Sequence, residues 1–213
     1  MGGMQRHLMQ GFKGCQCEYI KTDGNCILDI GVPLDYGQTI TCSFYIATLK
    51  EVRQIWSGKT DMLRTAILFS LPYLQGTVFY NSTGYENYRS GSISSTHHYG
   101  RVSIFKSATA GDSTMYYYTT GTPLYEQKIE TYNSASNKGS GTSSLTQSNV
   151  SMFGDTDNED IWMPSGSRIY FVMIDETKWL PWYLNGEYGL MRQDTGEFFG
   201  KSYGTGTLTG VIL

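Results

Sequence analysis

The densest group of oxygen-bearing side chains in the sequence is the run DTDNED at residues 155–160. Ca²⁺ takes about six to eight oxygen ligands, and a loop that mixes carboxylates with amides presents several of them at once. The run lacks the glycine and the distant bidentate glutamate of an EF-hand loop, so a solvated acidic turn between strands is the alternative interpretation. We take Asp155, Asp157 and Asn158 as candidate calcium ligands, and we expect no cofactor that the protein requires.

Aromatic side chains in polar, turn-rich segments are a second group of candidates. Tyr85 and Tyr88 lie in the segment TGYENYRS, and Trp162 lies in DIWMPSG. Flat aromatic faces suit the C–H surfaces of sugars, and tyrosine adds a hydroxyl that forms hydrogen bonds. We take Tyr85, Tyr88 and Trp162 as candidate glycan-binding residues. The alternative is that they belong to sheet surfaces or subunit contacts.

Residues for catalysis are sparse. A glycosidase needs two carboxylates that converge on one bond. The nearest pairs in the sequence are Glu126 with Glu130 and Asp175 with Glu176, each in a context typical of a strand end or turn. His97 and His98 are adjacent, so in a strand they would point to opposite faces and could not chelate one metal. The sequence contains no G-x-S-x-G, P-loop or H-E-x-x-H motif, and we expect no enzymatic activity.

The four cysteines, Cys15, Cys17, Cys26 and Cys42, all lie in the first fifth of the sequence. Their spacing does not match the paired C-x₂₋₄-C ligands of structural zinc sites. Residues 1–14 lack the continuous apolar stretch of a secretory signal. We therefore expect the chain to be made in a cytoplasm, with four reduced thiols and no disulfide among them.

Composition indicates that strands must position these candidate residues. Charged residues make up only 16% of the 213 residues and aromatic residues 14%, while 25 glycines provide turns. The formal charge of −3 gives no basic footprint, which argues against a nucleic acid as partner. No apolar run approaches the roughly 20 residues needed to span a bilayer, and we expect no membrane insertion.

The pattern along the chain predicts a single domain of about a dozen short strands. Residues 38–47 (QTITCSFYIA) alternate apolar with polar residues, which is the period of a half-buried strand. Residues 17–20 and 26–32 flank a turn at 22–25 and are typical of a hairpin, whereas 49–56 fit either a helix or a strand. Further strands are predicted at 65–70, 77–80, 100–106, 115–119, 123–130, 149–153, 168–175, 188–193, 197–203 and 207–213.

Several segments resemble the LamG-like, concanavalin A-like jelly-roll domains that are frequent in bacteriophages and prophages of gut bacteria. Residues 18–32 (EYIKTDGNCILDIGV) are similar to the opening of these domains, and residues 166–175 (GSRIYFVMID) to one of their later strands. Residues 188–199 (YGLMRQDTGEFF), followed by 204–208 (GTGTL), are similar to their closing hairpin, and 151–154 (SMFG) to a further strand. The sequence departs from the family pattern at Leu28 and in the aromatic run WLPWY at 179–183.

The resemblance implies an all-β fold, a two-sheet antiparallel jelly-roll sandwich (concanavalin A-like) over residues 17–213, preceded by an N-terminal arm at 1–16. It further implies a bacteriophage virion surface structural protein, such as a capsid decoration, head-fibre or tail-fibre component. Such a protein would be made in the host cytoplasm, join other virion proteins in the virion as a homo-oligomer, and contact host or mucosal glycans. A freestanding carbohydrate-binding, lectin-like module is the alternative, and a glycoside hydrolase is a third interpretation.

Overall fold

A computed structural model describes residues 14–33, 38–47, 148–154 and 163–213, together with the backbones of seven strands between residues 53 and 132. All regular elements in these described parts are β-strands. They are β1 (Cys15–Thr22), β2 (Leu28–Pro33), β3 (Thr39–Tyr45), β4 (Arg53–Lys59), β5 (Leu63–Ser70), β6 (Tyr73–Tyr80), β7 (Gly84–Arg89), β8 (Tyr99–Phe105), β9 (Thr114–Thr119), β10 (Lys128–Tyr132), β11 (Ser148–Met152), β12 (Arg168–Ile174), β13 (Thr177–Leu184), β14 (Glu187–Arg192), β15 (Phe198–Phe199) and β16 (Leu208–Ile212). Within the same described residues, no helix is long and apolar enough to cross a membrane.

The strands form two antiparallel sheets. The larger, ten-stranded sheet has the order β10-β9-β8-β3-β12-β1-β13-β14-β15, with β16 also paired to β1. The smaller sheet has six strands in the order β2-β11-β4-β5-β6-β7. The all-β, two-sheet antiparallel fold expected from the sequence is therefore confirmed.

The core lies between the middle of the larger sheet and the β2–β11 pair of the smaller one. The predicted alternation in β3 is confirmed, because Ile40, Cys42 and Phe44 are all buried. Thr41, on the opposite face of β3, is also buried. The outer face of this strand is therefore partly covered as well, which the alternation alone does not predict. The core cluster of buried apolar side chains also draws on β1, β2, β11, β12, β13 and β14, through residues such as Ile20, Leu28, Val150, Val172, Trp179 and Leu190. Truncating one large aliphatic member to alanine would cost about 2–5 kcal/mol of stability.

The expected hairpin between residues 17–20 and 26–32 is wrong. β1 belongs to the larger sheet and β2 to the smaller one, so the turn between them carries the chain from one sheet to the other. The turn residues bond to distant segments and not across a hairpin: the Gly166 N–H donates to the Thr22 carbonyl oxygen at 2.8 Å, and the Gly206 N–H to the Asn25 carbonyl oxygen at 2.9 Å. A turn-rich sequence between two strands does not reveal which partner its backbone will take.

Two tight turns build the hairpins β12–β13 and β13–β14. Asp175 has a φ of 53° in the first turn, and Asn185 and Gly186 have φ values of 52° and 92° in the second. Asn-Gly is the sequence most typical of a two-residue hairpin turn, because both residues tolerate positive φ. The segment 49–56, which fitted either a helix or a strand, overlaps β4, so its residues from Arg53 onward are a strand.

The two ends of the described chain lie side by side. β1 pairs with β16 in the register Cys17↔Ile212 and Thr22↔Leu208, and the Leu213 N–H donates to the Gln16 carbonyl oxygen at 3.0 Å. The first and last strands of the described chain are therefore neighbours in the larger sheet. Cys15 and Gln16, which the sequence assigned to an arm, begin β1, while residues 1–13 lie outside the described residues.

All four cysteines are free thiols, and three of them are buried. Burial raises the pKa of the Cys17 thiol to about 11, helped by the neighbouring Cys15, and burial likewise raises the pKa values of Cys26 and Cys42. Cys15 is exposed. Because the thiolate is the reactive form, the three buried thiols should be protected by both burial and protonation.

We therefore expect a thiol-specific disulfide reagent at pH 8 to modify Cys15 alone in the folded protein, and all four cysteines after unfolding without reductant. Intact mass spectrometry before and after denaturant gives both counts. Two or more modified cysteines in the folded protein would contradict the burial of Cys17, Cys26 and Cys42. Two or fewer modified cysteines in the unfolded protein would contradict the absence of disulfides.

Candidate functional site

The proposed glycan-binding tyrosines lie in a strand and not in a turn. Tyr85 and Tyr88 belong to β7, in register with Phe79 and Gly76 of β6. β7 ends the order of the smaller sheet, and β6 is its partner there. The structure describes the backbone of this strand, so the glycan-binding role of the two tyrosines stays a prediction.

The remaining candidates, Trp162 and the acidic run with Asp155, Asp157 and Asn158, lie in residues 155–162, outside the described residues. The residues on either side of this segment are described and are joined to each other. The Met163 N–H donates to the Phe153 carbonyl oxygen at 2.9 Å, and the Ser151 hydroxyl donates to the Gly154 carbonyl oxygen at 3.0 Å. Within the described residues, no group of three or more His, Cys, Asp or Glu side chains could hold a metal ion.

Phe153 combines full burial with a φ of 66°, a backbone conformation that is uncommon for a bulky residue. Such conformations persist where the surroundings impose them, and they concentrate at functional sites. Here the surroundings are the core on one side and the bond from Met163 on the other. The backbone conformation of Phe153, just before the acidic segment, is therefore fixed by its surroundings.

Asp23, in the turn between β1 and β2, joins this turn to the start of β16. One carboxylate oxygen accepts the Asn25 N–H at 3.0 Å, and the other accepts the Thr207 N–H at 2.7 Å and the Thr207 hydroxyl at 3.1 Å. Gly206 packs directly against this carboxylate, and a Cβ at that position would overlap it. The turn and residues 206–207 are therefore fixed relative to each other.

The pKa of Asp23 is lowered. Its slight desolvation by itself raises the pKa, but the hydrogen bonds from Asn25 and Thr207 favour the charged form and outweigh that effect. Both carboxylate oxygens are used in these bonds. Asp23 thus acts on the structure by positioning Thr207, whose hydroxyl proton is directed at the carboxylate and whose oxygen lone pairs remain available as acceptors.

Thr207 lines a surface pocket of about 210 Å³ at the end of the β13–β14 hairpin. We call it the Glu187 pocket; its lining residues are Gly186, Glu187, Tyr188, Lys201, Gly206, Thr207 and Leu208. Three segments meet there: the Asn-Gly turn with the start of β14, the loop around Lys201, and the entry to β16. Glu187, Lys201 and Thr207, with their carboxylate, ammonium and hydroxyl groups, therefore line one opening together with Tyr188.

The two charged side chains of the pocket are each held by a backbone group. The Glu187 carboxylate accepts the Lys201 N–H at 3.2 Å and lies against Gly200, where a Cβ would overlap it. The Lys201 ammonium donates to the Gly206 carbonyl oxygen at 2.8 Å. The carboxylate and the ammonium therefore stand in the same pocket, each bonded to a backbone group.

Tyr188 is also among the residues that line the pocket. Its ring packs against Tyr183, with centroids 4.7 Å apart, and it is half-buried. A Cβ at Gly210 would come within 2.9 Å of the Tyr188 ring, so the glycine allows β16 to approach the ring closely. The ring is thus supported on two sides.

Comparisons with known proteins give no match at the level of sequence: no family model matches the chain, and no curated protein matches it. Among solved structures, the fold is similar to domains LG4-5 of the mouse laminin alpha1 chain, with a TM-score of 0.51 and 9% identity. That likeness covers 93% of this chain but 48% of the laminin chain, so the chain spans about half the length of its laminin match. The fold is also similar to a native heptameric SAP-like pentraxin from Limulus polyphemus, with a TM-score of 0.52 and 12% identity over 92% of this chain and 95% of the pentraxin.

The fold is a concanavalin A-like jelly roll. This agrees with the LamG-like resemblance of the terminal segments, and at 9% and 12% identity the likeness concerns the fold alone. The jelly roll brings the similar segments together, because the opening segment begins within β1 and the closing segment ends at the first residue of β16, which pairs with Thr22 of β1. The Glu187 pocket is formed by residues in and around that closing segment.

The sequence did not single out Glu187, Tyr188, Lys201 or Thr207. One local signal was present: Asn185-Gly186 predicts a hairpin turn and thereby places Glu187 and Tyr188 at the start of a returning strand. Nothing in the sequence pairs these residues with Lys201, because the chain reverses again at residues 193–196 before it reaches the pocket.

Asp23→Ala should lower the free energy of unfolding of the jelly roll by about 1 kcal/mol at pH 7, because three hydrogen bonds to a carboxylate are lost. The carboxylate contribution is fully present above the unfolded pKa of about 3.9, and it is lost as the pH falls through the lower pKa of the folded state. Urea unfolding of wild type and variant between pH 7 and about pH 3 measures the difference. Glu176→Ala, at an exposed turn, is the control. A difference that stays constant down to the lowest pH would contradict this role of Asp23.

Proposed function

We propose that this jelly roll is a non-enzymatic, carbohydrate-contacting module on the surface of a bacteriophage virion. The observation that carries the carbohydrate contact is the Glu187 pocket, where hydrogen-bonding groups of opposite kinds surround one opening beside a tyrosine ring. Small-molecule sites typically combine an aromatic or apolar wall with a few placed polar groups. The pocket has this composition.

The chemistry of the pocket matches a sugar hydroxyl, which donates one hydrogen bond and accepts others. Glu187 offers a carboxylate acceptor, Lys201 an ammonium donor, and Thr207 an oxygen whose own proton is already engaged with Asp23. Tyr188 provides the flat surface on which the C–H face of a sugar ring can pack. Since Glu187 and Lys201 are held by backbone groups and the Thr207 hydroxyl by Asp23 before a ligand arrives, little ordering remains to be done on binding.

The virion setting is supported by the resemblance of the opening and closing segments to jelly-roll domains of bacteriophages and prophages. In this proposal the chain is made in the host cytoplasm and joins other virion proteins through the residues that precede β1 as a capsid decoration, head-fibre or tail-fibre component. It assembles as a homo-oligomer, which has a precedent in the heptameric pentraxin of similar fold. Several weak pockets presented together would give the particle useful avidity for host or mucosal glycans.

A freestanding lectin-like module is the second candidate, because the same pocket would serve a protein that is not part of a particle. The two candidates differ in where the chain is found and not in what it binds. Calcium at Asp155, Asp157 and Asn158 would fit either of them.

We expect the full chain to bind at least one class of glycan on an array, and gold-labelled antibody against it to decorate intact particles in electron micrographs. Tyr85→Ala, Tyr88→Ala and Trp162→Ala, tested singly, report whether the aromatic candidates contribute. Glycan binding without particle labelling would favour the freestanding lectin, and an empty array would refute the carbohydrate contact. Release of free sugar from a bound glycan would refute the non-enzymatic role.

A further inference from the structure

We propose that the Glu187 pocket binds a single uncharged sugar residue and disfavours acidic sugars, an inference that rests on the carbohydrate-contacting function proposed above. It concerns the size of the pocket, the two charged groups in its lining, and the balance of charge around it. Each of these features is fixed by described residues.

The size of the pocket selects one sugar ring. Its volume of about 210 Å³ is below the roughly 300–1,000 Å³ of pockets that take drug-sized ligands. A longer glycan would therefore place one residue in the pocket and leave the others on the surface. Specificity in this pocket has to come from the groups that meet that one ring.

Glu187 and Lys201 bring an acceptor and a donor to the same pocket lining, a combination that suits a neutral hydroxyl. The carboxylate is tied to the Lys201 backbone N–H and the ammonium to the Gly206 carbonyl oxygen, so each keeps unused hydrogen-bonding capacity. A hydroxyl between them can donate to the carboxylate and accept from the ammonium at the same time. Such a hydroxyl satisfies both charges without bringing a charge of its own.

The charge around the pocket opposes an acidic sugar. A sugar carboxylate would be attracted by Lys201 but repelled by Glu187 in the same lining. Asp23 adds a second negative charge directly behind Thr207, 3.1 Å from its hydroxyl. Counting the Glu187 carboxylate in the lining and the Asp23 carboxylate behind Thr207, two negative charges lie near one ammonium, and like-charge contacts of this kind disfavour an anionic ligand.

The test uses two pairs of ligands that differ in charge at one carbon. The probes are methyl β-D-glucopyranoside and methyl β-D-galactopyranoside, each compared with its uronic acid, and they are titrated into the full-length, nitrogen-15-labelled chain. Binding is read from the backbone amide resonances at neutral pH. We expect the neutral probes to shift the amides of Lys201, Gly206 and Thr207, and at least one of them to bind about fivefold or more tightly than its acid.

Glu187→Gln separates the charge from the shape of the pocket, since glutamine keeps the size and an oxygen acceptor. In this variant the preference for the neutral probe should disappear or reverse. Glu176→Gln removes a carboxylate at an exposed turn away from the pocket and should leave the preference unchanged. Unchanged amide resonances in the rest of the chain establish that each variant is folded.

Each other outcome overturns a stated part of this inference. Equal affinity for neutral and acidic probes would overturn the charge selection. Shifts confined to another part of the chain, such as β7, would overturn the assignment of the pocket while leaving the carbohydrate-contacting function intact. No shift with any probe would overturn the single-residue pocket, and the array of whole glycans would decide the proposed function separately.

Discussion

The backbone hydrogen bonds of β1 hold together parts of the chain that are far apart in sequence. β1 pairs with β16 along most of its length, with β12 near its end and with β13 near its start. Ile20 anchors this strand in the core from its inner face. Because β16 carries Leu208 and follows directly on Thr207, the position of the pocket wall depends on this pairing.

A second constraint is that the polar groups near the pocket are fixed mostly by backbone partners. Asp23 holds the backbone of residue 207, Glu187 that of residue 201, and Lys201 the carbonyl oxygen of residue 206. These contacts require close approach, which glycine permits at positions 200 and 206 because a Cβ there would overlap a carboxylate. The polar groups of the pocket are thus positioned by the same bonds that connect its loops.

The sequence predicted the fold better than the site, for reasons visible in particular residues. Alternation in residues 38–47 records burial on one face of a strand, and burial is what a period-2 pattern reports. The turn at 22–25 predicts a hairpin, and this prediction is wrong because turn residues encode a change of direction but not the sheet in which the next strand pairs. The candidate site was assigned to aromatic and acidic segments by side-chain type. The Glu187 pocket instead depends on contacts between loops that are far apart in the sequence. One of them is the hydrogen bond between Asp23 and Thr207, which are 184 positions apart.

The pairing of β1 with β16 also determines how this jelly roll could be connected to other chains. Since the N–H of Leu213 bonds to the carbonyl oxygen of Gln16, the two ends leave the domain at nearly one place. A short linker could close them into a ring, and the exposed turn at Asp175 and Glu176 could then be opened to create new ends in a circular permutant. The whole domain could also be inserted into a surface loop of another protein. Because its two ends lie close together, the two points of attachment in the host loop could be neighbouring residues.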